Sequence, residues 1–163
     1  MKNLARFRSF VTGFTDLVAE KGIDESSIFE RGGKLLEALV AHDDWLPDEF
    51  ARPNPDRYQQ YLLHCDPLER FSVVSFVWGP GQATPLHDHT VWGLIGMLRG
   101  AELTQPFAQN ASGHSVASGD ILRLEPGHVE AVSAVHLPPT HPVQAERVDQ
   151  RAITVEQQRL RTG

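Results

Sequence analysis

The chain has 163 residues, enough for one domain with a sizeable core. Its 15 basic and 21 acidic residues give a net charge of −6, which argues against a nucleic-acid partner because phosphate binding needs a basic face. No apolar run approaches the length of a membrane span, and the first residues lack the apolar core of a secretory signal, so no membrane partner is expected. Cys65 is the only cysteine, so we expect no intrachain disulfide and a cytoplasmic location.

Residues 1–50 are predicted to form amphipathic helices. Apolar residues recur at steps of three and four in the first segment, at Phe10, Val11, Phe14, Leu17 and Val18. A second helical segment opens at residues 24–27, and its apolar face comprises Ile28, Phe29, Leu35, Leu36, Leu39 and Val40. Prolines at 47, 53 and 55 end the helical pattern. These helices need a partner to cover their apolar faces.

Residues 58–155 are predicted to form short β-strands. The segments are apolar and rich in β-branched and aromatic residues, and turn residues separate them at 66–67, 79–81, 110–113, 119–120 and 126–127. Closely spaced strands of this kind indicate an antiparallel sandwich or barrel. Residues 156–163 are polar and are predicted to be a tail. We expect the helices and strands to form a single domain over 1–163.

His87-Asp88-His89 is the motif that carries the most chemistry. Two histidines two residues apart on a strand point to the same face, so both imidazoles can reach one metal ion. Gly93, four residues after His89, leaves no carboxylate close behind the pair. Neutral imidazoles leave the charge of a divalent ion uncompensated, which favours an anionic ligand such as a thiolate. All-imidazole ligation suits Fe, Zn, Cu or Ni.

A usable metal site needs a third ligand from elsewhere in the chain. The residues alone leave four histidines open: His114, His128, His136 and His141. A zinc hydrolase is disfavoured, because no acidic residue other than the outward-pointing Asp88 neighbours the pair as a general base.

Residues 58–107 resemble the thiol dioxygenases of the cupin superfamily. The match is carried by YQQYLL at residues 58–63, RFSVVSFVWGPG at 70–81, TPLHDH at 84–89 and WGLIGMLRG at 92–100. Within that family the chain is most similar to the bacterial branch related to cysteine dioxygenase, and there to the mercaptopropionate dioxygenases.

The resemblance implies a mainly β fold, the double-stranded β-helix or jelly-roll barrel of cupins, with N-terminal α-helices. It implies one Fe(II) bound by three histidines and an activity that adds both atoms of O2 to a thiol sulfur, giving a sulfinate. Carried over to this chain, the metal ligands are His87, His89 and His141, with His136 and His128 as alternatives to His141. The expected partners are a small thiol, mercaptopropionate or cysteine, and O2, with the protein a monomer or small homo-oligomer.

Two further positions take a meaning from the resemblance. Gln60 stands where the cysteine-specific relatives carry an Arg for the substrate carboxylate, so it is the expected substrate-binding residue; the alternative is a polar residue on a strand rim. Gly93 lies near the position of the cross-linked cysteine of animal cysteine dioxygenases, so a Cys–Tyr cofactor is not expected.

The C-terminal part departs from the family pattern. The family's Ser-x-His-x-Tyr motif falls on Thr154, Glu156 and Gln158, where only Thr154 is a near match. We therefore expect a truncated or diverged C-terminus. This departure keeps two alternatives open: a cupin that binds a metal or small molecule without turnover, and an inactive family member whose open barrel edge pairs with another chain.

Overall fold

The computed structural model of the chain describes residues 2–87, 89–133, 143–145 and 150–157. The helical elements are α1 (Leu4–Ala19), α2 (Glu25–Ser27), a π-helical stretch (Ile28–Gly32), α3 (Gly33–Val40) and a 3-10 helix (Asp48–Ala51). The strands are β1 (Gln59–Cys65), β2 (Phe71–Trp78), β3 (Gly93–Arg99), β4 (Glu102–Thr104), β5 (Phe107–Gln109), β6 (Ser115–Ala117), β7 (Leu122–Leu124), β8 (Val129–Val132), β9 (Val143–Ala145) and β10 (Gln150–Gln157).

The N-terminal helices bury the faces that the sequence pattern predicts. Phe14 and Leu17 of α1 and Leu36 and Leu39 of α3 are each at most 3% exposed. Phe14, Leu36 and Leu39 belong to one apolar core that also includes residues of the strands. Among the described residues, no helix is long and apolar enough to cross a membrane.

The second helical segment begins within the predicted opening at residues 24–27. The side chain of Asp24 accepts a hydrogen bond of 2.8 Å from the backbone N–H of Ser27, satisfying a donor that the first helical turn leaves unpaired. The segment continues through the π-helical stretch into α3. After it, the indole N–H of Trp45 donates to the carbonyl of Leu39 at 3.1 Å and holds the connection against the helix.

The strands form antiparallel sheets. The largest has the order β1-β2-β10-β3-β8, and the others have the orders β7-β4-β9 and β5-β6. Strand β10 comes last in the chain but lies between β2 and β3, where it pairs with both. The architecture is mainly β with helices at the N-terminus.

The two faces of the large sheet have different roles, because successive side chains of a strand alternate between faces. One face packs against the helices through Phe71, Val73, Leu94, Ile153 and Val155. The other face lines a cavity and contributes Phe76, Trp78, Ile95, Thr154 and Glu156. The helices therefore support the sheet from behind, and the interior opposite them is left for a ligand.

The last strand of the barrel extends two residues beyond the predicted boundary at residue 155. Strand β10 runs to Gln157, with Glu156 paired to Ser72 of β2 and to Gly93 of β3. The polar composition of this stretch suggested a tail, but hydrogen bonding to strands on both sides keeps it in the sheet. Of the predicted tail, residues 158–163 lie outside the described residues.

Candidate metal centre

The histidine pair lies in the connection between β2 and β3, not on a strand as the spacing predicted. Proline lacks a backbone N–H, so Pro85 cannot donate to a strand ladder two residues before His87. The expected proximity is nevertheless present: the ring centroids of His87 and His89 are 5.1 Å apart, with an interplanar angle of 67°. Asp88 lies outside the described residues.

The tautomer of His87 is set by its neighbour Pro85. The Nδ1 atom of His87 lies 2.8 Å from the carbonyl oxygen of Pro85. Since a carbonyl oxygen only accepts, Nδ1 must carry the hydrogen, and in the neutral ring the lone pair is on Nε2. Metal-binding histidines are commonly oriented in this way by a backbone carbonyl. The donor set therefore fits a divalent ion at Nε2 of His87 beside His89.

Both histidines line a cavity of about 360 Å³ inside the barrel. Its described lining residues are Tyr58, Gln60, Phe76, Trp78, Thr84, Pro85, His87, His89, Val91, Trp92, Gly93, Ile95, Glu102, Val132, Thr154 and Glu156. The volume suits a small molecule. Of the histidines that the structure describes, only His87 and His89 line the cavity.

The structure brings four other positions singled out in the sequence to the same cavity: Gln60, Gly93, Thr154 and Glu156. Gln60, paired with Phe76 across β1 and β2, lines the wall from an exposed position. Thr154 and Glu156 line it from β10, and burial raises the pKa of the Glu156 carboxyl. A Cβ atom at Gly93 would lie 3.0 Å from a methyl of Val132, so a side chain at this position would require Val132 to shift.

The candidates for the third ligand divide into two groups. His114 is exposed between β5 and β6, and His128 is exposed just before β8, with its backbone bonded to Glu125 and Met97. Neither lines the cavity, so the structure gives no support to the alternative of His128. His141 and His136 lie outside the described residues, as does Gln158. Within the described part of the chain, no three His, Cys, Asp or Glu side chains group closely enough to hold a metal.

Glu102 is a site residue that the sequence analysis missed. Its side chain is 1% exposed, lines the cavity from β4, and has an Oε2 atom without a hydrogen-bond partner. Burial and the negative charge of Glu130, opposed by a hydrogen bond with Thr104, raise the pKa of Glu102 to about 7. The one signal in the sequence was an acidic residue two positions after Gly100, between the apolar residues Ala101 and Leu103.

An aromatic wall stands on the same side of the sheet as the carboxyl groups. Phe76 and Trp78 stack with ring centroids 5.4 Å apart, and Tyr58 lies 6.0 Å from Trp78 and 6.5 Å from Phe76. The indole N–H of Trp78 is buried and has no hydrogen-bond partner. We refer to Tyr58, Phe76 and Trp78 as the aromatic wall. It offers a ligand apolar faces and one unused donor.

No protein-family model matches the chain. Among solved structures, it is similar to a cupin superfamily protein from Desulfitobacterium hafniense DCB-2, with 13% identity, a TM-score of 0.52, and coverage of 72% of this chain and 94% of that one. A conserved protein with a double-stranded β-helix domain from Klebsiella pneumoniae gives 15% identity, a TM-score of 0.52, and coverage of 72% and 87%. The protein TT1209 from Thermus thermophilus gives 20% identity, a TM-score of 0.51, and coverage of 69% and 94%.

These similarities, together with the sheets and N-terminal helices, show that the chain has the cupin fold. The predicted fold class is thereby confirmed. The cavity lies in the interior of the barrel, and the histidine pair, Glu102 and Glu156 line it.

Proposed function

We propose that this cupin-fold protein is an iron-dependent dioxygenase that oxidises a small thiol with O2 to a sulfinate. The observation that carries the proposal is the histidine pair on the wall of a cavity of about 360 Å³, with Nδ1 of His87 bonded to the Pro85 carbonyl so that Nε2 can accept a metal ion. The sequence resemblance supplies the reaction class. In the proposal His141 completes the ligand set.

The overall reaction balances without a co-substrate. A thiol and O2 give a sulfinic acid, with both oxygen atoms bonded to sulfur, and sulfur loses the four electrons that O2 gains. Fe(II) bound by the histidines would stabilise the thiolate and promote its reaction with O2.

The chain's own residues orient the substrate and exclude water. The aromatic wall and Ile95 present apolar surface to the substrate carbon chain. The indole N–H of Trp78, buried and unpartnered, can donate to an oxygen of the sulfinate product. Gln60 is exposed and lines the cavity, where its side chain can supply a neutral hydrogen-bond donor or acceptor. Together these residues would hold the sulfur of the substrate near the histidine pair.

The proposal is tested by removing one imidazole at a time. We expect His87→Ala, His89→Ala and His141→Ala proteins to lose most bound iron and at least about 100-fold in thiol-dependent oxygen uptake, a typical effect of losing a metal ligand or its support. His114→Ala is the matched control, because His114 is exposed and lies away from the cavity. Iron is measured by elemental analysis, and oxygen uptake with an electrode.

Two results would contradict the assignment. Folded, iron-loaded protein that consumes no oxygen with 3-mercaptopropionate, cysteine or 2-aminoethanethiol would remove the dioxygenase function. Unchanged iron in the His141→Ala protein would refute His141 as a ligand and direct the search to His136.

A second candidate function is metal or small-molecule binding without turnover. It is favoured by Thr154 and Glu156, which line the cavity at positions where the family carries the Ser and His of its Ser-x-His-x-Tyr motif. A carboxyl group in place of that imidazole changes the polar groups available beside the reacting atoms. This candidate predicts stoichiometric metal with no sulfinate product from any of the three thiols.

A further inference from the structure

We propose that the cavity recognises an organic ammonium group, so that the thiol substrate carries an amine and not a lone carboxylate. This inference rests on the proposed function for the identity of the substrate as a thiol. It reverses the order that the resemblance implies, in which mercaptopropionate comes first.

The first support is the concentration of carboxyl groups inside the barrel. Glu102 and Glu156 line the cavity. Glu130 lies opposite Ile95 in the pairing of β8 with β3, and directly opposed residues share a face, so it is on the cavity side as well. Among the residues that the structure describes, no lysine or arginine lines this cavity. A bound carboxylate would therefore face several carboxyl groups without a described counter-charge.

The second support is an unused acceptor. Glu102 is 1% exposed, and its Oε2 atom has no hydrogen-bond partner. A buried polar atom without a partner is costly, and the cost is relieved when a ligand donates to it. An ammonium group has three N–H donors and no acceptor, so it can donate to the Oε2 atom and pair with the ionised form of Glu102.

The third support is the aromatic wall. The faces of aromatic rings attract organic cations, and groups of aromatic side chains recognise ammonium ligands in this way. The ring centroids of Tyr58, Phe76 and Trp78 lie within 6.5 Å of one another. All three residues line the same cavity as Glu102 and Glu156. Aromatic rings and carboxyl groups that line one cavity can together bind an organic cation.

The test compares two thiols that differ in their end group. Binding of 2-aminoethanethiol and 3-mercaptopropionate is measured by calorimetry without oxygen, on the full chain in iron-free and Fe(II)-loaded forms. We expect 2-aminoethanethiol to bind at least about tenfold more tightly, roughly the contribution of one partly buried cation contact. Cysteine, which carries both end groups, should bind with intermediate affinity.

The same measurement on variants assigns the recognition to the cavity. Glu156→Gln and Glu102→Gln keep the side-chain shape and remove the charge, and each should reduce the preference by at least about threefold. Glu49→Gln is the matched control, since Glu49 is exposed on the 3-10 helix and does not line the cavity. It should retain the preference of the unaltered protein.

Three outcomes would overturn the inference: 3-mercaptopropionate binding as tightly as the aminothiol, neither thiol binding, or an unchanged preference in both glutamine variants. Oxygen uptake separates this inference from the proposed function. Selective aminothiol binding without oxygen uptake would refute the dioxygenase and leave the cation site standing. Uptake with a preference for 3-mercaptopropionate would do the reverse.

Discussion

At the scale of single residues, Glu102 is the most informative side chain outside the histidine pair. It is a nearly fully buried carboxyl group with one unpartnered oxygen, and its pKa is about 7. Ionisable side chains with such shifts are enriched at functional sites, because burial that serves only stability favours apolar residues. Glu102 therefore imposes a cost on folding that a ligand can relieve.

The burial of the Glu102 carboxyl group predicts that the stability of the folded protein depends on pH. The pKa of Glu102 in the folded protein, about 7, lies above its ordinary value of 4.5, so between these pH values the unfolded chain has released a proton that the folded protein keeps. Stability therefore falls as pH rises through this window. Glu102→Gln should remove roughly 2–3 kcal/mol of that fall. Urea unfolding of both proteins at pH 4.5 and above 7 measures the difference.

Glu49→Gln serves as the control for this experiment, because it removes an exposed carboxylate. Its free energy of unfolding should follow that of the unaltered protein across the pH range. Parallel curves for Glu102→Gln and the unaltered protein would contradict the assignment.

At the scale of elements, the contact between α3 and β3 controls how closely the helices cover the sheet. Gly96 of β3 lies beneath α3, and a Cβ atom there would be 2.8 Å from Cγ of Leu36 and 3.0 Å from Cγ1 of Val40. Glycine in a strand interior often marks such a close approach. The absence of a side chain at Gly96 allows the helix to seal the back of the sheet whose other face forms the cavity.

Gly96→Ala is expected to destabilise the protein by about 1–3 kcal/mol, because the added methyl group requires a shift in Leu36 or Val40. Gly33→Ala is the matched control within α3. No described atom lies within 4 Å of a Cβ at Gly33, so this change should be neutral or stabilising by about 0.5–1 kcal/mol through better helix propensity. Urea midpoints of the two variants should move in opposite directions, and an equal shift would refute the close contact.

At the scale of the whole molecule, helices and barrel share one core. Phe14 of α1 is fully buried, and its ring contacts Phe71 of β2 at 4.9 Å and Trp92 at 6.2 Å, measured between centroids. The same cluster contains residues of α3, β3 and β10. We therefore expect the helices and the barrel to unfold together as one cooperative unit.

The Phe14→Ala variant tests whether the helices and the barrel unfold together. Removing a buried phenylalanine ring should cost about 3–5 kcal/mol. Helix content from far-ultraviolet circular dichroism and tryptophan fluorescence, to which Trp78 and Trp92 contribute from the barrel, should shift by the same amount along the urea axis. Two separate transitions, or a shift in helix signal alone, would show that the helices are an independent layer.

The candidate site was partly predictable from the sequence. The H-x-H spacing predicted that His87 and His89 lie side by side, and their rings are neighbours although the segment is not a strand. The family motif predicted Gln60 as a substrate-binding residue, and Gln60 lines the cavity. Glu102 could not be found in this way, because its burial depends on β4 pairing with β7 and β9, which are distant in sequence.

The sequence by itself determined the helical faces and the histidine pair, since each depends on residues a few positions apart, and the resemblance of residues 58–107 supplied the fold class. Only the tertiary structure decided what surrounds the pair. Glu156 lies in the sheet because β10 is inserted between β2 and β3, and this pairing with Ser72 and Gly93 brings its carboxyl group to the cavity. Local pattern depends on side-chain periodicity, whereas the charge of an enclosed cavity depends on which distant strands meet.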